Sequence, residues 1–344
     1  MSDLTLGLAI VGGIALAAVV AHGAWQARKA GPQRAAPVAE PQAVAQMEPV
    51  LSDPTMRTDA ALLPRAGLRR ASPRLDALID AIATLRPDTP LAAEVVLAHL
   101  PPTRRVGSKL FLIEGLNAES GEWEPVGAGA RYGELQAGVQ LANRTGALNE
   151  IEYSEFVQKV QAFADAVGAM AELPDMLDVV NRARELDAFA GEHDAQLALT
   201  LQARAAAWSV GYLQQQAAGQ GFVAGMVPGR MVLPAADDGA PPVLALSFDA
   251  QAALAEDANA AAVRVATLSF DVAQTDPAAQ PLAAWQASAQ ALARSMDALV
   301  VDDQGRPLTP AGFSTIGTEL EILYSALAAH DLAAGSPAAR RLFN

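Results

Sequence analysis

Hydrophobic and polar positions alternate in three different ways along the chain. From Leu4 to Trp25 the run LTLGLAIVGGIALAAVVAHGAW is continuously apolar, with no acid, lysine or arginine. As a helix it spans roughly 33 Å, against a hydrocarbon core of about 30 Å. The pattern predicts a transmembrane helix at 4–25 behind a polar tip at 1–3. A cleaved signal peptide carries its positive charge ahead of the apolar core. Here Met-Ser-Asp precedes the core, and Arg28, Lys29 and Arg34 follow it. An uncleaved anchor is expected, with the N-terminus outside and the rest of the chain cytoplasmic.

Across 26–72 no apolar period persists. Seven prolines lie between Ala30 and Pro73 among Ala, Gln and Arg, which predicts an unfolded linker. A chain of this length has an r.m.s. reach of roughly 35–40 Å. Arg65, Arg69, Arg70 and Arg74 form a basic run near its end. They read as a solubilising linker end, or as a contact for anionic lipid or an acidic partner.

Beyond the linker, periods of two and of three to four recur twice. In 73–190, LDALIDAIATL (75–85), KLFLIEGLN (109–117) and ELQAGVQLAN (134–143) predict strands. TPLAAEVVLAHL (89–100) predicts a helix capped by Thr89 with Pro90 in its first turn. Phe156, Val160, Phe163 and Val167 mark one face of a helix over 150–170, and another helix is expected from Leu173 to about Leu186. In 191–330 the same order returns: a strand at 195–203, a helix at 208–218, and strands near 222–234, 242–249 and 263–272. A long helix at 281–298, a hairpin at 299–309 and a last helix from Pro310 to about Ala328 complete it. The expected class is α+β: two similar domains, each an antiparallel sheet covered by helices on one face, diverged from a tandem duplication. Residues 331–344 read as a tail.

Charge narrows the partners. Met1–Arg74 holds eight basic and five acidic residues, a balance of +3, which leaves −17 for the remainder of a chain whose net charge is −14. Acidic domains repel nucleic-acid phosphates and anionic headgroups, so neither nucleic acid nor a membrane surface is an expected target. With no cysteine, disulfides, thiolate metal sites and cysteine nucleophiles are excluded. Aromatics are only 5%, so lean, alanine-rich cores are expected.

Chemistry-bearing patterns are sparse. His22, His99, His193 and His330 show no metal-ligand spacing. Asp237–Asp238 and Asp302–Asp303 each precede a glycine between strand-like runs, which suits turns better than acid–base work. The run Gly127-Ala-Gly129-Ala-Arg-Tyr-Gly133 leads into a strand, whereas a phosphate loop opens a helix. No cofactor and no enzymatic site is expected. Arg104, Arg105 and Lys109, near a strand edge, suit an acidic peptide.

Two stretches of the chain carry a resemblance to a known family. MSDLTLGLAIVGGIALAAVVAHGAWQARK has a polar tip, one membrane helix ending near a His-Gly-aromatic triplet (here His22-Gly23-Ala24-Trp25), and trailing basic residues. WQASAQALARSMDALVVDDQGRPLTP has the long helix with Ser288-Ala289-Gln290, the hairpin at Val300–Gln304 and the helix opening at Thr309-Pro310. Together these stretches resemble the ZipA family, membrane anchors of the bacterial cell-division protein FtsZ, although the linker is shorter than is usual in that family and 73–190 is additional. The resemblance implies an inner-membrane protein at the division site with its N-terminus periplasmic. It also implies that the open face of the C-terminal sheet binds the C-terminal tail of FtsZ. Strand parity puts Leu197, Leu199, Leu201, Leu244, Leu246, Phe248, Leu268 and Phe270 on the helix-packed side. By resemblance the opposite side, with Thr200, Ala245, Ser247, Thr267 and Ser269 joined by Met231 and Leu233, lines the peptide groove. Those residues are small and polar, and an ordinary half-solvated sheet face is the alternative. A second functional reading is a membrane-anchored interaction protein whose partner is another division or envelope protein.

Overall fold

Alternating Ala81, Ala83 and Leu85 against Ile82 and Thr84 makes β1 (Asp80–Pro87) a strand with one buried face. There follow α1 (Ala93–His99), β2 (Lys109–Asn117), β3 (Arg131–Gln140), α2 (Glu150–Val167), β4 (Ala169–Glu172) and α3 (Met176–His193). The second half holds β5 (Gln196–Ala203), α4 (Val210–Ala218), β6 (Arg230–Leu233), β7 (Leu244–Phe248) and β8 (Val265–Asp271). It closes with α5 (Pro281–Met296), β9 (Ala298–Val301), α6 (Pro310–Ala329) and α7 (Pro337–Leu342). This computed structural model describes residues 74–344 other than Asp238, and these belong to one compact unit. The expected membrane helix at 4–25 and the linker at 26–72 lie outside the described residues. Among the described residues no helix is long and apolar enough to cross a membrane.

The architecture is mixed α/β with antiparallel sheets, and the two large sheets follow one plan. The first runs β2-β3-β1-β4 and the second β6-β7-β8-β5-β9. Thus β7-β8-β5-β9 repeats β2-β3-β1-β4 in order and direction. The long helix of each half ends in a left-handed residue, Gly168 (φ 68°) or Asp297 (φ 49°). An alanine then opens the edge strand: Ala169 pairs with Pro87, and Ala298 with Ala203. Counting back three pairs makes Thr84 and Thr200 equivalent. The cross-strand register then matches Gln136 to Thr267, Glu114 to Ser247 and Gly138 to Ser269.

Each sheet buries one face under its helices. In the first half Phe156, Val160 and Phe163 of α2 pack on Ala83, Leu135 and Phe111. In the second half Trp285 and Leu292 of α5 pack on Leu199, Leu246 and Leu268. The Trp285 indole N–H donates to the Leu268 carbonyl at 2.9 Å, so the ring is buried with its polar atom satisfied.

Several predicted boundaries move, for local reasons. Residues 75–79 form a turn, because the Asp76 carbonyl accepts from Ile79 and Asp80 N–H and its carboxylate accepts from Leu78 N–H. The helix expected at 89–100 starts at Ala93, since Leu91 and Ala92 pair with Tyr132 and Arg131. The helix expected at 150–170 stops at Val167, and the chain continues as the unforeseen edge strand β4. The next helix is longer than expected, from its Asp175 cap to His193. The strand expected at 222–234 is a hairpin of two short strands, Val223–Ala224 and β6. Residues 331–344 are no loose tail: α7 and its flanks bury Leu332, Leu342 and Phe343 against Ile79, Ala142 and Ala273.

Candidate peptide-binding faces

On the side of the second sheet away from α5, the register sets out two rows. One is Arg230–Ser247–Thr267–Thr200–Val301. The other is Val223–Val232–Ala245–Ser269–Ala198. At about 4.8 Å per strand, each row of five spans roughly 19 Å. Thr200, Ser247, Thr267 and Ser269 are half-buried, Ala245 is buried, and Ala198 and Arg230 are exposed. Val223 and Val265 are about half exposed, at 50% and 47%. The surface is shallow, with hydroxyls along its middle, methyls at its edges and a cation at one end. It suits an extended segment laid flat across the strands, whose polar groups meet the hydroxyls.

Five of the seven residues expected on this face are there: Thr200, Ala245, Ser247, Thr267 and Ser269. Met231 and Leu233 are not. They pair with Leu246 and Leu244, and directly paired residues share a face, so both point to the helix side. Met231 lies in the core and Leu233 packs against it. The residues that β6 contributes instead are Arg230 and Val232. The signal was in the sequence: two large apolar residues at alternate positions mark the buried face of a short strand.

The equivalent face of the first sheet is organised around an acid. Its rows are Glu172–Thr84–Gln136–Glu114–Pro125 and Ile82–Gly138–Leu112. The Glu114 side chain is 2% exposed although its carboxylate lies on the face away from the helices. It accepts from the Arg74 guanidinium (Nε to Oε1, 2.7 Å), from Leu75 N–H (3.0 Å) and from Gln136 Nε2 (3.0 Å). Arg74 also donates to the Trp123 carbonyl. The Leu75 side chain lies over Gly138, where a Cβ would overlap its methyls. Residues 74 and 75 therefore cover the lane that stays open on the second sheet.

An arginine closes the same end of both faces. Arg341 of α7 makes a two-pronged pair with Asp80 (2.5 and 2.9 Å) and donates to the Arg74 carbonyl at 2.7 Å. Arg144 of the first half reaches Asp194 (2.5 Å) and Asp271 (2.6 Å) of the second. Burial raises the Asp80 and Asp271 carboxyls above the usual aspartate range, and their arginines oppose that shift. The hydrogen bond to Asp194 is the largest factor raising Arg144 further above its ordinary value.

Lys109 is 1% exposed and donates to Ser108 Oγ (2.9 Å) and Asn143 Oδ1 (3.0 Å), so it is not free for an acidic peptide. Burial lowers its ammonium below the ordinary lysine value. Arg104 is exposed at the rim of a cavity of about 190 Å³ walled by Leu100, Pro101, Phe111, Ile113 and Val126. Asp302 works as a turn residue, accepting from Gln304 N–H (2.9 Å) and Arg306 N–H (2.8 Å). His193 and His330 each pack a ring against Phe189, at 4.1 and 4.2 Å between centroids. Among the described residues no group of three or more His, Asp or Glu is placed to hold a metal ion. Comparison of the chain with protein families and with curated proteins gives no match to either.

Proposed function

We propose that this chain is a non-catalytic adaptor of the ZipA type, tethered to the inner membrane by residues 4–25. It recruits or stabilises the FtsZ ring during division, taking the C-terminal tail of FtsZ on the open face of the second sheet. The two halves are copies of one α+β domain, each with its helices on one face. The observation that carries the reading is the pair of rows through Thr267 and Ser269 on the sheet face away from α5, at the place where the resemblance puts the peptide groove. Tethering raises the local concentration of such a face, so a weak site still acts on a filament that displays many tails.

The test is recruitment. Full-length protein in vesicles should bring FtsZ filaments to the lipid, and protein lacking residues 1–30 should stay in solution and leave the vesicles bare. Filaments still gathered on lipid by the truncated protein would refute the tether. The small residues of the open face favour a second reading, in which the partner is another division or envelope protein. Full-length protein that fails to retain the FtsZ tail peptide in a pull-down would support it.

A further inference from the structure

We infer that the open face of the first sheet is a second peptide-binding site, specific for a basic–aliphatic segment and holding the chain's own Arg74–Leu75 as resident ligand. It concerns the sheet not used for FtsZ, so it stands or falls apart from that reading. Gly138 and Ser269 occupy one position of a shared plan, as do Glu114 and Ser247. On the second sheet that lane is open. On the first it holds a guanidinium against a buried carboxylate and a leucine side chain over a glycine.

The site is built for these two side chains. A carboxylate at 2% exposure needs a cation or several donors, and Glu114 has a guanidinium, a backbone N–H and a side-chain amide. Only a glycine at 138 leaves room for an aliphatic group on the sheet. The resident segment is separable from the fold. Asp76 starts a self-contained turn through its bonds to Leu78, Ile79 and Asp80, so lifting residues 74 and 75 breaks their own bonds to Glu114, Trp123 and Arg341 and leaves β1 in place. Half of the Arg74 side chain is already in solvent, at 51% exposure. Arg74 and Leu75 are also the first two described residues, on the side of the expected tether. A partner that offers arginine beside leucine therefore competes directly with Arg74 and Leu75 for this face.

A labelled peptide with the sequence of residues 70–77 tests the inference on full-length protein at 0.15 M salt. The resident segment should mask the site in the wild type. Arg74→Ala/Leu75→Ala should bind the peptide at least about tenfold more tightly, since an occupied site weakens apparent affinity by its free fraction. Adding Glu114→Gln to that variant should remove the gain. The same peptide with glutamate at the position of Arg74 should not bind. Equal affinity of wild type and double variant would overturn the inference, and so would a gain that survives Glu114→Gln. If the double variant does not fold, Leu75→Ala alone carries the same comparison, and wild-type affinity in it is equally fatal.

Discussion

Asp80 shows how one residue ties distant parts of the chain. It sits in an apolar run, Leu78-Ile79-Asp80-Ala81-Ile82, where a carboxylate is out of place unless something meets it. Arg341, 261 residues away, meets it with two hydrogen bonds, and Arg341 is itself only 11% exposed. Removing one partner of a buried pair leaves an uncompensated charge, so Arg341→Ala should cost about 3 kcal/mol. The pH dependence follows from the direction of the Asp80 shift. Burial raises its carboxyl, so between the unfolded and folded values the native state holds a proton that the unfolded chain has lost. That contribution is complete below the unfolded value and disappears as pH rises through the folded one. Arg341→Ala should therefore lose more stability at pH 7 than at pH 4, measured by urea denaturation at both. An equal loss at the two values would mean that Asp80 and Arg341 do not act as a charged pair. A lone acid in an apolar run was the only sign of this contact in the sequence. Its partner was not legible, because nothing local in a six-residue helix marks one arginine as buried.

At the scale of elements, the reach of α2 is set by its two ends. Asn149 accepts from Ile151 and Glu152 N–H, both at 3.0 Å, and Glu152 answers the Asn149 N–H. This reciprocal cap is worth about 1 kcal/mol, so Asn149→Ala should lower stability by about that amount. Glu152 also holds Ser108 N–H at 3.0 Å and its hydroxyl at 3.2 Å. Glu152→Ala should therefore cost more than Asn149→Ala in the same thermal denaturation, and the reverse order would contradict the shared role. Elements with a strong local period were readable: α2, α5, β5 and β8 follow their apolar spacing. What the period cannot carry was missed. The edge strand β4 is four residues, Ala-Met-Ala-Glu, and owes its state to pairing with β1. The turn at 75–79 overrides an apolar run because the Asp76 side chain competes for the backbone. The true face of Met231 depends on register with β7, which a strand read without its hairpin does not fix.

At the scale of the molecule, two copies of one sheet plan are held together by side chains that cross between them. Arg144 from the first half binds acids of the second, and Arg341 from the second binds an acid of the first. The copies differ most where a ligand would lie. The first face has Glu114 and Gly138 under Arg74 and Leu75, and the second has half-buried Ser247 and Ser269 in their place. The repeated order of elements was legible, because topology survives in the succession of periods. The covering of the first face was not, because Arg74 and Glu114 are 40 residues apart and neither carries a motif. The small, hydroxyl-bearing character of the second face was legible from strand alternation alone.

The most direct test of the account is the affinity of the FtsZ C-terminal tail peptide for the full-length protein, read by fluorescence anisotropy with Thr267→Arg as the comparison. Thr267 lies at the centre of the first row, and a long charged side chain there would obstruct both. The peptide should bind the wild type and lose at least about tenfold in affinity on Thr267→Arg, or about 1.4 kcal/mol, while Glu114→Gln on the other sheet leaves it unchanged. A wild type that does not bind the peptide, or a folded Thr267→Arg that binds it equally well, would contradict the central claim.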